Sequence, residues 1–167
     1  MPRTPAQAIG FLLGFWLALW LAPFGASAEA GPAPFAALEA ELLRGVNGVR
    51  SERHLIPLER RPELDAVARA HSLDMARRSF LDHRNPEGEV APDRLARARV
   101  AGFSLAAENI GLTSRGEPNR EILQAWIASK VHRDNLFAPP FNATGIGIAR
   151  APSGALIYTQ IYVSYPR

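Results

Sequence analysis

The 167-residue chain has no cysteine and only one lysine, Lys130. Without cysteine there are no disulfides, no thiolate metal site and no thiol nucleophile. Packing must therefore stabilise the fold, and a metal would have to be held by His and carboxylate donors. Charge of one sign is also scarce: the formal net charge is +3, and the arginines alternate with Glu and Asp. Arg60-Arg61, Arg77-Arg78 and the Arg94, Arg97, Arg99 cluster are expected to be solvated helix faces, mostly outward. They do not form a polyanion track, and nucleic-acid binding is not expected. There is no internal repeat, no low-complexity segment and no Gly-x-Ser-x-Gly elbow. Gly145-Ile146-Gly147 lacks the third Gly and the following helix of a phosphate loop. Ser72 beside His71 is on a helix, where adjacent residues diverge, so a nucleophile pair is not expected there.

One long apolar run is present. Ile9 to Leu21 follows Arg3, is broken by Pro23 and Gly25, and leads to Ala26-Ser27-Ala28, a small-x-small cleavage site. Residues 1–28 read as a secretory signal peptide. The run falls short of the roughly 20 apolar residues that span a bilayer; an uncleaved membrane anchor is the alternative. The expected location is secreted or periplasmic. Residues 29–34 read as a short Pro-rich flexible lead, and residues 35–167 as one domain, long enough to bury its own core.

Phe35, Leu38, Leu42, Val46 and Val49 recur at helical spacing, with Asn47 interrupting the stripe to bond a neighbouring loop. Ser51 to Arg61 reads as a connection that tucks Leu55, Ile56 and Leu58 under the domain. Pro62 suits the first turn of a second helix, whose stripe is Leu64, Val67, Ala68, His71 and Met75. His71 on that stripe is expected to be a core histidine. A turn-rich loop from His83 to Ala91 precedes a short helix opened by Pro92-Asp93. Phe103 to Ile110 reads as extended. A helix after Pro118 buries Ile122, Leu123, Trp126 and Ile127, and Ser129 to Leu136 forms a turn and a short helix. The period then changes: Ala143–Arg150 and Leu156–Val163, separated by Ala151-Pro152-Ser153-Gly154, read as two antiparallel strands. Helices early and strands late indicate an α+β layered domain.

Three residues stand out chemically. His83 lies beyond a helix C-terminus, where a positive imidazolium is favoured. Glu108 lies among Ala106, Ala107 and Ile110, so its carboxylate needs a hydrogen-bonding or charged partner. His132 lies in a polar turn after the Trp126 helix. Together they could bind a divalent metal such as zinc with a position left open, act in proton transfer, or serve structural hydrogen bonding.

These blocks resemble the CAP superfamily of secreted proteins, more closely its bacterial SCP-like extracellular branch. The resemblance rests on Leu43, Asn47 and Arg50; Ala70-His71-Ser72 with Met75-Ala76; His83, Pro86 and Gly88; Arg94-Leu95; Glu108-Asn109-Ile110; Trp126, Ser129, His132-Arg133 and Asn135-Leu136; Gly145-Ile146-Gly147; and Tyr158-Thr159-Gln160. It implies a three-layer α-β-α sandwich with a central antiparallel sheet and a groove holding His and Glu. In eukaryotic relatives the groove carries two His and two Glu and has been associated with a divalent metal. Here the second Glu falls at Ser129 and the second His at Ile157, while His132 belongs to the bacterial pattern. The expected protein is a secreted, monomeric, ligand-binding module whose groove is lined by His83, Glu108, His132, Tyr158 and Gln160. His71, Asn109 and Asn135 are expected to be supports. The ligand class is a small molecule, a lipid or a cell-envelope component. The rival reading is a metal-assisted hydrolase of envelope or extracellular polymers.

Overall fold

The computed structural model describes residues 34–166. The segment read as a signal peptide, and nearly all of that read as a flexible lead, lie outside them. Among the described residues no helix is long and apolar enough to cross a membrane.

Five helices and four strands follow in order: α1 Ala36–Ser51, β1 Glu59–Arg60, α2 Pro62–Arg78, α3 Ala91–Arg97, β2 Leu105–Thr113, α4 Pro118–Ala128, α5 Lys130–Leu136, β3 Ala143–Arg150 and β4 Leu156–Ser164. The sheet order is β1-β3-β4-β2. The three long strands pair antiparallel with one another, and β1 pairs with β3 in parallel. The 51–61 connection therefore contributes a two-residue strand. Two residues are too few to show a period-2 pattern, which is why it reads as loop in the sequence. Of the apolar residues in that connection, Leu58 is buried, while Ile56 remains 40% exposed. Asn47 fixes this segment by exchanging two hydrogen bonds with the Leu58 backbone, at 2.8 and 3.1 Å.

Both faces of the sheet are covered. Alternation along the strands sends Tyr158, Tyr162, Ile146 and Ile148 into one apolar cluster with Leu42, Val46 and Trp126 of α1 and α4. On the other face Ile161 and Val163 pack with Leu64, Val67 and Ala68 of α2 and Leu95 of α3. A polar network supplements this packing. Arg50 is fully buried and donates to the carbonyls of Ile56, Leu136, Ala138 and Phe141. Buried Glu39 is held by Arg60 and Arg69, so the Arg60 side chain is not simply a solvated face.

The α2 helix lies unusually close to β3. A Cβ on Gly145 would overlap the backbone at Leu64 and Asp65, and one on Gly147 would overlap Ala68 and Arg69. Ser72 fastens the approach by donating from its hydroxyl to the Gly147 carbonyl at 2.9 Å. This contact sets the height of α2, and of the loop leaving it, above the sheet. Gly147→Ala should destabilise the domain by about 3 kcal/mol or more in chemical denaturation, whereas Gly116→Ala, with open space around it, should leave the midpoint unchanged. Equal midpoints for the two variants would contradict this account of the approach.

Candidate functional site

Glu108 lies mid-strand on β2, opposite Ile161, and so points to the α2 and α3 side of the sheet. Its side chain is 4% exposed. A carboxylate removed from water this far requires compensation, and it is supplied from two directions. From within, an Arg94 guanidinium nitrogen donates to one carboxylate oxygen at 2.6 Å. From the surface, His83 Nδ1 donates to the other at 2.9 Å. The acceptor is a carboxylate, so Nδ1 carries the proton.

Arg94 corrects the expectation that it points outward: its side chain is only 3% exposed. The buried residues of α3 are Ala91, Arg94 and Leu95, an i, i+3, i+4 stripe that places Arg94 on the inner face. The same guanidinium donates to the backbone carbonyls of His83 at 3.1 Å and Glu89 at 2.9 Å. It thus fixes both the carboxylate and the loop that carries its histidine partner.

His83 is positioned by how α2 ends. Ser79 takes the left-handed conformation at φ 56° and stops the helix. His71, fully buried, then donates from Nε2 to the Asp82 carbonyl at 3.0 Å, one residue before His83. Further along, Asn85 and Glu89 tie the turn through two side-chain bonds. His71 also approaches Glu108 to 3.8 Å, too far for a hydrogen bond. Its role is therefore wider than core filling: it anchors the loop.

His132 enters from α5. Asn109 donates to the His132 carbonyl at 3.0 Å, and Asn135 donates to the Glu108 carbonyl at 3.2 Å and to Asn109 Oδ1 at 3.0 Å. These bonds tie α5 to β2. The His132 and His83 rings then sit 6.5 Å apart, centroid to centroid. Trp126 Nε1 donates to the Ile110 carbonyl, so two carbonyls of the edge strand β2 are taken by side chains of α4 and α5.

Tyr158 and Gln160 do not join the site. Both are fully buried. Gln160 is opposite Asn109 and Tyr158 opposite Gly111, one step out of phase with Glu108, so they face the α1 and α4 layer. Tyr158 hydroxyl donates to Asn119. Gln160 donates to Thr144 and accepts from the Tyr162 hydroxyl. They are interior hydrogen-bonding residues, not groove lining.

The electrostatics divide the three histidines. The hydrogen bond to Glu108 raises the His83 pKa above its ordinary value, against partial burial and the Arg94 charge. Burial lowers the pKa of His71. Burial, with the nearby His83, also lowers that of His132. The site therefore favours the proton on His83 over its two histidine neighbours.

Comparison with known proteins gives a consistent family. Residues 43–162 match the model of the CAP, cysteine-rich secretory protein family. The YkwD protein of Bacillus subtilis, itself uncharacterized, is 29% identical over 133 residues, covering 79% of this chain and 49% of that protein. A solved extracellular protein of Bacillus anthracis containing an SCP domain is 30% identical with a TM-score of 0.68, covering 77% of this chain and 40% of that one. The chain thus spans about half the length, or less, of these two relatives. The structure of NaASP2 with Zn2+ is 13% identical at a TM-score of 0.56, covering 80% of this chain and 82% of that one; that likeness concerns the fold.

The residues present do not suit the three-ligand zinc set that the sequence suggests. One Glu108 oxygen is bound to Arg94 and the other to His83, so neither is free to complete a ligand set with the two histidines. Among the described residues no group of three His, Cys, Asp or Glu is disposed around a common point for a metal.

A pH titration of the ring resonances tests this geometry. The His83 midpoint should lie above the ordinary value of about 6.5 and fall in Glu108→Gln. The raised folded-state pKa means that the His83 contribution to stability is complete below the unfolded value and is lost as pH rises through the folded one. A His83 midpoint unchanged by Glu108→Gln would contradict the assignment.

Proposed function

The chain belongs to the cysteine-rich secretory protein (CAP) family, and on that premise we propose that it is an extracellular or envelope ligand-binding module. The observation that carries this reading is the engagement of both Glu108 oxygens by Arg94 and His83. A carboxylate held in this way is a scaffold. It is poorly suited to serve as a metal ligand or as the general base that the hydrolase reading requires. What the site offers outward is His83, 47% exposed at its side chain and with Nε2 free of protein partners among the described residues, beside His132. A protonated His83 donates to an anionic or carbonyl oxygen, and a neutral His132 supplies a second hydrogen bond. The matching ligand is a polar cell-envelope component that places an oxygen between the two rings. Extracellular placement is supported by the B. anthracis relative, described as an extracellular protein.

Binding should be measured with purified peptidoglycan sacculi and with phosphatidylglycerol vesicles, alongside calorimetric zinc titration. Saturable binding to one of the envelope materials is expected, weakened by about tenfold in His83→Ala, with no zinc bound at micromolar concentration. Equal binding by wild type and His83→Ala would overturn the site. Micromolar zinc affinity lost in His83→Ala would replace this reading with the metal-assisted one.

A further inference from the structure

A cavity lies beside the Arg94 and His71 flanks of Glu108, between the C-terminal half of α2, the 85–88 turn and α3. Its volume is about 400 Å³, within the range of small-molecule sites and larger than a lone inorganic anion needs. Four guanidiniums line it, those of Arg77, Arg78, Arg94 and Arg97, against the carboxylates of Asp74 and Glu87. We propose that this cavity binds a phosphorylated, hydroxylated small molecule, sugar phosphate in class, with the phosphate on the outer arginines and a hydroxyl against Arg94 and His71.

The inner wall selects the hydroxyl. Arg94 and His71 both line the cavity and both flank Glu108. Their side chains are 3% and 0% exposed, yet Arg94 Nε and His71 Nδ1 have no hydrogen-bond partner. Arg94 Nε–H is a donor. His71 already donates from Nε2 to Asp82, so in the neutral ring Nδ1 is an acceptor. Hydroxyls can accept from an Nε–H and donate to an Nδ1, and leaving either bond unmade is costly for a buried atom.

The outer rim selects the phosphate. Arg77 is exposed and makes no ion pair among the described residues. Arg78 pairs with Glu87 at 2.8 Å and Arg97 with Glu89 at 2.9 Å, on side chains 38% and 64% exposed respectively. Exposed pairs of this kind contribute little, about 0–1 kcal/mol. A dianionic phosphate can therefore displace the carboxylates and take the guanidiniums in bidentate contacts. No part of this binding uses His83 or His132.

The test is an NMR titration of the purified full chain, labelled at arginine, with glucose 6-phosphate, glucose and inorganic phosphate at constant ionic strength. Glucose 6-phosphate should give saturable shifts at both the Arg77 and Arg94 Nε–H signals. Inorganic phosphate should shift Arg77 far more than Arg94, and glucose should leave Arg77 unmoved. Arg77→Ala should weaken glucose 6-phosphate binding by about tenfold with no change in unfolding midpoint. His83→Ala should bind it as wild type does, which separates this cavity from the site proposed above. Absence of a saturable Arg94 shift, equal responses to glucose and its phosphate, unchanged affinity in Arg77→Ala, or lost binding in His83→Ala would each overturn the proposal.

Discussion

A carboxylate cannot remain ionised in an apolar layer without a cation beside it, and the arrangement around Glu108 follows from that requirement. Arg94 meets it from the interior and His83 from the surface. Because the Arg94 guanidinium also holds the His83 and Glu89 carbonyls, one charge pair joins β2, α3 and the loop after α2. Remove it and the loop loses its anchor as well as the carboxylate its partner.

The remaining structure delivers these residues to the same place. Gly145 and Gly147 allow α2 to lie against β3, which brings His71 over the sheet and Asp82 within its reach. The strand register then decides which residues can take part. Glu108 shares its face with Ile161, while Gln160 and Tyr158 face the opposite layer. From that opposite layer, Asn109 and Asn135 bind α5 to the edge strand, bringing His132 to the rim. The site is therefore built at the edge strand, where the two helical layers both reach β2.

Much of this was legible in the residues. The stripe of α1, the Pro-initiated α2 and α4 and the two late strands are all strong periodic signals, and the Asn47 tie to the neighbouring loop follows from a polar residue in an apolar stripe. The need of Glu108 for a partner was also legible, since its neighbours are small and apolar. That Arg94 is the interior partner is masked, although Ala91, Arg94 and Leu95 have the spacing of a buried face, because three arginines in and just after a short polar helix look like solvated charge. The position of Tyr158 and Gln160 depends on strand register, which a single strand cannot reveal: a shift of one residue reverses every side chain. The two-residue β1 has no periodicity to read at all.

Arg94 and Glu108 form a buried, mutually dependent pair. A double-mutant cycle in denaturant unfolding, using Arg94→Leu, Glu108→Gln and the combination, measures that dependence directly. Arg94→Leu alone should cost about 3–5 kcal/mol by stranding a buried carboxylate. The double variant should recover part of that loss, with a coupling of about 1 kcal/mol or more. Costs that simply add would contradict it.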